Sequence, residues 1–352
     1  MKLQHYKELD GVRALAALMV MFFHFFQNIE LNDKVILIIK KFSVFGQTGV
    51  SLFFVLSGFL ITRILINSKE EASYFKTFYI RRSLRIFPLY YFYLILTFFI
   101  LPFFQHISFV PFNHQIWFWV YLQNFAFTFN WPSSGPGHFW SLAVEEHFYL
   151  FWPLLIYFLN TQKIKYAIGI IIFIAFLSRI LLIRNGFGVF NFTFTRMDEL
   201  AVGSILAILE IGGKLKSSNS NKFLLLFSFI MLPTLCLWTL VTGKGNDSIQ
   251  MIKFILLAFS YFSMIGYIIT IKDQNVLKRI FKSKPLTFTG KISYGLYVYH
   301  PLCFGLMSSY YKNGNVLVHF ILSFILSYLV ASLSFYFFES KFSALKQKFE
   351  YN

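Results

Sequence analysis

Arg13 and His24 interrupt an otherwise apolar stretch near the start of the chain, with ten residues between them. Ionisable side chains at membrane depth are expensive and are kept chiefly where they line a pathway or a reaction site. A helix rises about 1.5 Å per residue, so the two are roughly 16 Å apart along its axis. If Arg13 reaches one membrane interface, His24 lies past the middle, towards the other. There the imidazole either does chemistry or makes a hydrogen bond between helices.

Two further groups are chemically suggestive. In Gly137 to Pro153, Glu145 and Glu146 are adjacent carboxylates, placed by sequence at about the depth of His24. Neighbours on a helix point about 100° apart. The expectation is that one meets His24 and orients it, as in base–orienter pairs, while the other faces a different partner. The alternative is an interfacial pair in contact with water, with His138, Trp140 and His147 as flanking anchors. In Phe78 to Tyr91, Arg82 and Arg85 share a helix face and could hold a phosphate with forked donors. With Arg81 they could equally be simple positive anchors. Two polar islands remain, Arg196-Met197-Asp198-Glu199 and Tyr297-Val298-Tyr299-His300-Pro301, where His300 either faces the interior at a kink or packs as a satisfied histidine.

Apolar helices must position these groups. Of 352 residues, 57% are hydrophobic and 13% charged, against roughly 25% charged in a soluble domain. Apolar runs long enough to cross a ~30 Å hydrocarbon core recur throughout. The fold expected is all-α and polytopic, with about ten transmembrane helices. They fall near 12–29, 48–67, 86–104, 141–159, 165–183, 197–211, 222–242, 250–271, 291–311 and 316–338. Gln115 to Phe129 is too short and too interrupted to span, and reads as a re-entrant or interfacial segment. No membrane-barrel alternation is present.

The net charge of +17 does not indicate a nucleic-acid partner, because the cations sit in short loops between apolar runs. With the N-terminus inside, 23 of the 32 Lys and Arg fall on the inner side, as the positive-inside rule requires. Both termini are therefore expected in the cytoplasm, and the first run reads as a retained anchor because no cleavage site follows it. Residues 1–340 are expected to form one transmembrane domain and 341–352 a short cytoplasmic tail. Cys236 and Cys303 lie singly inside apolar runs and support neither a disulfide framework nor a thiolate metal site.

Leu9 to Phe25, Gly49 to Leu65, Arg82-Ser83-Leu84-Arg85, Trp140 to Pro153, Arg196 to Ala207 and Ile292 to Leu302 occur in the order seen in a known family. The chain resembles the acyltransferase-3 family of bacterial integral-membrane acyltransferases over essentially its full length. The resemblance implies transfer of an acyl group, most often acetyl, from cytoplasmic acyl-CoA (acetyl-CoA) to a hydroxyl of a cell-surface or exported glycan, or its lipid-linked form. It implies a bacterial cytoplasmic (inner) membrane location among membrane lipids, and no metal. Arg13, His24, Arg82 and Arg85 match the positions that the family treats as functional. The mechanism expected sets Arg82 and Arg85, with Lys76 nearby, on the donor's phosphates, and Arg13 either on a phosphate or beside an inner-leaflet carboxylate such as Asp10. His24, oriented by Glu145 or Glu146, is expected as general base or as transient acyl carrier, with Ser141, Arg196, Asp198 and His300 in substrate-facing or supporting roles. Many members carry an additional extracytoplasmic domain; without one, the membrane domain itself is expected to complete transfer. A proton-coupled transporter or flippase of a lipid-linked glycan is the principal alternative, and a non-catalytic partner in polysaccharide export is another.

Overall fold

The computed structural model describes residues 4–29, 34–240, 247–311 and 315–349, with residues 237–240 described in backbone only. Residues 241–242 of the seventh expected span and 350–352 of the expected tail lie outside these. The described residues form helices and connecting turns, with no strand. That is the form in which an apolar chain satisfies its backbone without water.

The order begins with α1 (Glu8–Gln27), α2 (Lys34–Ser43), α3 (Gly49–Asn67) and α4 (Tyr74–Ile95), which runs through a π turn into α5 (Leu101–Gln105). Next come α6 (Phe112–Trp119), α7 (Gln123–Thr128), α8 (Trp140–Phe158), α9 (Thr161–Arg184) and α10 (Met197–Ile211). The chain continues with α11 (Ser220–Leu240), α12 (Asp247–Thr270), α13 (Val276–Phe281) and α14 (Lys284–Lys291). It ends in α15 (Ser293–Tyr310), α16 (Val316–Ser334), a second π turn and α17 (Ser340–Leu345).

A helix occupies each of the ten expected places, and six segments are long and apolar enough to cross a membrane by length and composition. α8 falls outside that six because Glu145, Glu146 and His147 dilute its hydropathy, and α15 because its Tyr, Ser and Gly residues do so together with His300 and Pro301. Polar groups at that depth face the bundle interior. By contrast, α9 and α16 bury little of themselves and turn Phe173, Ile325 and Leu329 outward.

One boundary differs from expectation in a way that matters. The third span was expected to begin at Ile86, but α4 begins at Tyr74, so the helix face that carries Arg82 and Arg85, with Arg81, is continuous with the span rather than ahead of it. The extension is held by its buried residues Tyr74, Thr77 and Phe78, and by Tyr74 donating to the Pro153 carbonyl at 3.0 Å. The interfacial segment is two short helices, α6 and α7, turned at Tyr121, whose φ is 59°. Gln123 donates to the Phe139 carbonyl at 2.8 Å and Asn124 to Thr193 Oγ1 at 2.7 Å, so the polar interruption is buried with both amide nitrogens engaged.

α3 and α10 cross with their backbones almost touching. A Cβ on Gly58 would stand 1.9 Å from the Leu200 carbonyl oxygen, and one on Gly203 2.0 Å from that of Val55. Small residues permit such close crossings in membranes. Gly58→Ala should therefore push α3 off α10 and cost about 1–3 kcal/mol, read as a lower thermal midpoint of the detergent-solubilised protein. An unchanged midpoint would mean that the crossing has slack.

Candidate functional site

Arg13 and His24 project from the same helix into two different cavities. The first, about 210 Å³, is lined by Arg13, Arg82, Arg85, Glu145, Ser141 and Tyr297 among others. The second, about 290 Å³, is lined by His24, His138, Gln47, Trp140, Phe190 and Tyr297 among others. Val50 and Tyr297 belong to both, so they form the partition between a basic cavity and a histidine cavity.

At the basic end the three arginines are held differently. Arg13 Nη1 donates to Asp10 Oδ1 at 2.7 Å. The Arg82 guanidinium lies 3.8 Å from the centre of the Tyr149 ring, with its Nε 4.0 Å from Glu146 Oε1. Arg85 is exposed, lines the cavity, and forms no ion pair with a carboxylate among the described residues. Three convergent guanidiniums, one of them unpaired, are suited to a phosphate-bearing ligand.

At the other end, His24 Nδ1 lies 2.7 Å from His300 Nε2, and the two rings stack with centres 5.0 Å apart. His300 Nδ1 is 2.9 Å from the Leu296 carbonyl oxygen, which can only accept. In the neutral pair, His300 therefore carries its proton on Nδ1 and must accept at Nε2. The proton between the rings then belongs to His24 Nδ1, which leaves the lone pair on His24 Nε2. A second group that fixes which nitrogen of the first is basic is the usual way a catalytic imidazole is prepared.

His138 stands opposite, with Nε2 donating to the Val298 carbonyl at 3.2 Å and its ring centre 5.6 Å from that of His300. The partition is pinned at the same place. Tyr297 donates its hydroxyl hydrogen to the His138 carbonyl, and Ser141 donates to the Tyr297 oxygen at 2.5 Å. Pro301 inside α15 removes the N–H that would bond the Tyr297 carbonyl.

The expected pairing of His24 with Glu145 or Glu146 is not what the fold builds. Glu145 Oε1 accepts from Ser57 at 2.7 Å and faces the basic cavity, while Glu146 lies beside Arg82. The two helices are offset in depth: His138, in the 3-10 turn over Gly137–Phe139 just ahead of α8, is the side chain of this segment that takes the level of His24. The carboxylates lie about 10 Å farther along. Arg196 and Asp198 line neither cavity. Asp198 is bonded at 2.7 Å by both oxygens to Arg179, and Arg196 pairs with Glu199 at 3.0 Å. Arg196 also packs on Trp140 and Phe190, two walls of the histidine cavity, from behind. Ser141, His300 and Arg13 take positions at the site, as do Arg82 and Arg85.

Sequence reasoning missed Tyr297 as a partition and Ser57 as a partner of Glu145, and it read His138 as an anchor. It also passed over Arg179, although a cation deep inside the apolar run 165–183 carries the same signal as His24.

A family model described as an acyltransferase domain matches residues 6–336. A Staphylococcus aureus (strain COL) protein with the name "Putative O-acetyltransferase" is 29% identical over 369 residues, covering 97% of this chain and 58% of that protein. The O-acetyltransferase OatA of S. aureus (strain NCTC 8325 / PS 47) is 29% identical over 362 residues, covering 94% of this chain and 56% of OatA. The chain thus spans little more than half the length of these relatives. No solved structure matches it.

Proposed function

This chain belongs to the acyltransferase-3 family, and from that premise we propose that it is a membrane O-acetyltransferase using acetyl-CoA at the basic end and a glycan hydroxyl at the histidine end. What most supports the reading is the pair of cavities meeting at Val50 and Tyr297. One carries Arg13, Arg82 and Arg85, the other a histidine whose free nitrogen is set by a second histidine. In this reading the basic end faces the cytoplasm, as the distribution of Lys and Arg favours. The acceptor is a cell-surface or exported glycan, consistent with relatives whose names are O-acetyltransferases.

In this reading the reaction runs as follows. The arginines hold the phosphates of coenzyme A, and its thin arm brings the thioester past Val50 and Tyr297. His24 Nε2 takes the proton of the acceptor hydroxyl as the oxygen attacks the thioester carbonyl. The C–S bond breaks, and the departing sulfur receives the proton from His24 Nε2. During the step His24 is charged, and its Nδ1–H stays bonded to His300. Glu145 and Glu146, kept on the donor side, balance the arginines between turnovers.

Purified protein in liposomes, given radiolabelled acetyl-CoA on the basic side and surface glycan on the other, should move label onto the glycan. Glycan crossing without label would establish a carrier instead.

The two-histidine arrangement makes its own prediction. His300→Leu removes the acceptor for His24 Nδ1–H and should lower kcat about 10- to 100-fold with little change in KM for acetyl-CoA. His300→Gln, whose side-chain oxygen can accept the same bond, should recover part of the loss. Equal loss in both variants would reduce His300 to a packing residue.

A further inference from the structure

The C-terminal segment is not free of the bundle. α17 and the turn that follows it, Lys346–Lys348, pack against α4. Arg81 Nη1 donates to the Lys346 carbonyl at 3.1 Å and to the Phe349 carbonyl at 2.8 Å. The strap is thus tied by its backbone to the helix turn that carries Arg82 and Arg85.

The consequence is where Lys346 comes to rest. It is half-buried, 3.3 Å from Ser343 Oγ, and within electrostatic reach of Arg81, Arg82 and Arg85. Among the described residues, Glu339 is the one carboxylate facing the same group, and it is engaged by Ser334 at 3.0 Å. Arg82 is in addition answered from the inner side by Glu146. A lysine that only anchored a tail could extend into water, since its stem has four rotatable bonds. Instead it stays half-buried on a strap that Arg81 ties to α4, in the same neighbourhood as Arg82 and Arg85, a repulsive arrangement on its own that becomes favourable around a polyanion. Phosphate oxygens gain from each cation that converges on them.

We propose that Lys346, delivered by the docked C-terminal strap, is a further phosphate-binding residue of the donor site and joins Arg82 and Arg85 at the mouth of the basic cavity. The inference rests on the reading of acyl-CoA as donor. It assigns the strap a binding task that its position near the chain end does not suggest. Arg81 has the supporting part: it holds the strap through two carbonyls, while Lys346 reaches the ligand.

The test compares full-length wild type, Lys346→Ala and Lys346→Glu in nanodiscs, with acetyl-CoA and phosphate-free acetyl-pantetheine as ligands. By calorimetry, Lys346→Ala should weaken acetyl-CoA about 5- to 20-fold, and Lys346→Glu more. Neither should alter the response to acetyl-pantetheine, and the wild-type preference for acetyl-CoA should narrow as salt rises. Undiminished affinity in both variants would overturn the proposal. So would an equal loss for both ligands, which would mean that the lysine only shapes the fold. If wild type itself binds no acetyl-CoA, the donor reading fails first, and that outcome is distinct from either of these.

Discussion

His24→Ala is expected to leave the protein in the membrane at normal abundance and to lower acetyl transfer by about 10²- to 10⁴-fold, the range a general base contributes. The effect should fall on kcat, because His24 lines the histidine cavity while the arginines proposed to hold the donor line the other. The substitution also leaves His300 Nε2 without its donor, but that nitrogen faces the space opened by the lost ring and can be met by water. Added imidazole can occupy the same space, so partial recovery of activity by free imidazole is the second expected result. It separates a missing base from a damaged fold. Normal glycan acetylation in His24→Ala cells would remove the central claim.

How far this site could be read from the sequence depended on whether its parts are local. Arg13 with His24, and Arg82 with Arg85, are legible because each pair lies on one helix, where spacing fixes both face and depth. The apolar runs gave the helices for the same reason, since backbone satisfaction in lipid leaves little else for them to form. The partner of His24 was not legible. His300 is 276 positions away, and only the packing of α15 against α1 brings the two rings together. The carboxylates were misplaced because the relative depth of two helices is a tertiary property. α8 begins where its sequence indicates, but it is offset against α1 so that His138, just ahead of it, meets the level of His24 while Glu145 and Glu146 lie by the arginines. The early start of α4 is a similar case. Aromatic residues buried between α4 and α8 extend the spanning helix through a stretch whose charges set it ahead of the apolar run.

Arg82 and Arg85 should separate in their mutant behaviour although they sit one helix turn apart. Arg85 has no carboxylate partner among the described residues and is exposed in the basic cavity. Arg85→Ala therefore removes ligand contacts with little else attached to them. Hydrogen bonds to charged groups contribute about 1.5–3 kcal/mol each, so KM for acetyl-CoA should rise by about 10- to 100-fold while the folded protein accumulates normally. Arg82 is also part of the fold. It covers the Tyr149 ring at 3.8 Å and is the cation beside Glu146. Arg82→Ala leaves that carboxylate without a counter-charge, a loss of the kind that costs 3–5 kcal/mol when a buried pair is broken. It should lower yield and thermal midpoint as well as raise KM. Arg82→Lys restores the charge but neither the fork nor the flat face on Tyr149, so it should recover abundance more than affinity. Adding Glu146→Gln to Arg82→Ala removes the stranded charge and should return stability without returning donor binding. If that double variant regains a wild-type KM, Arg82 serves Glu146 alone and the phosphate site reduces to Arg13 and Arg85.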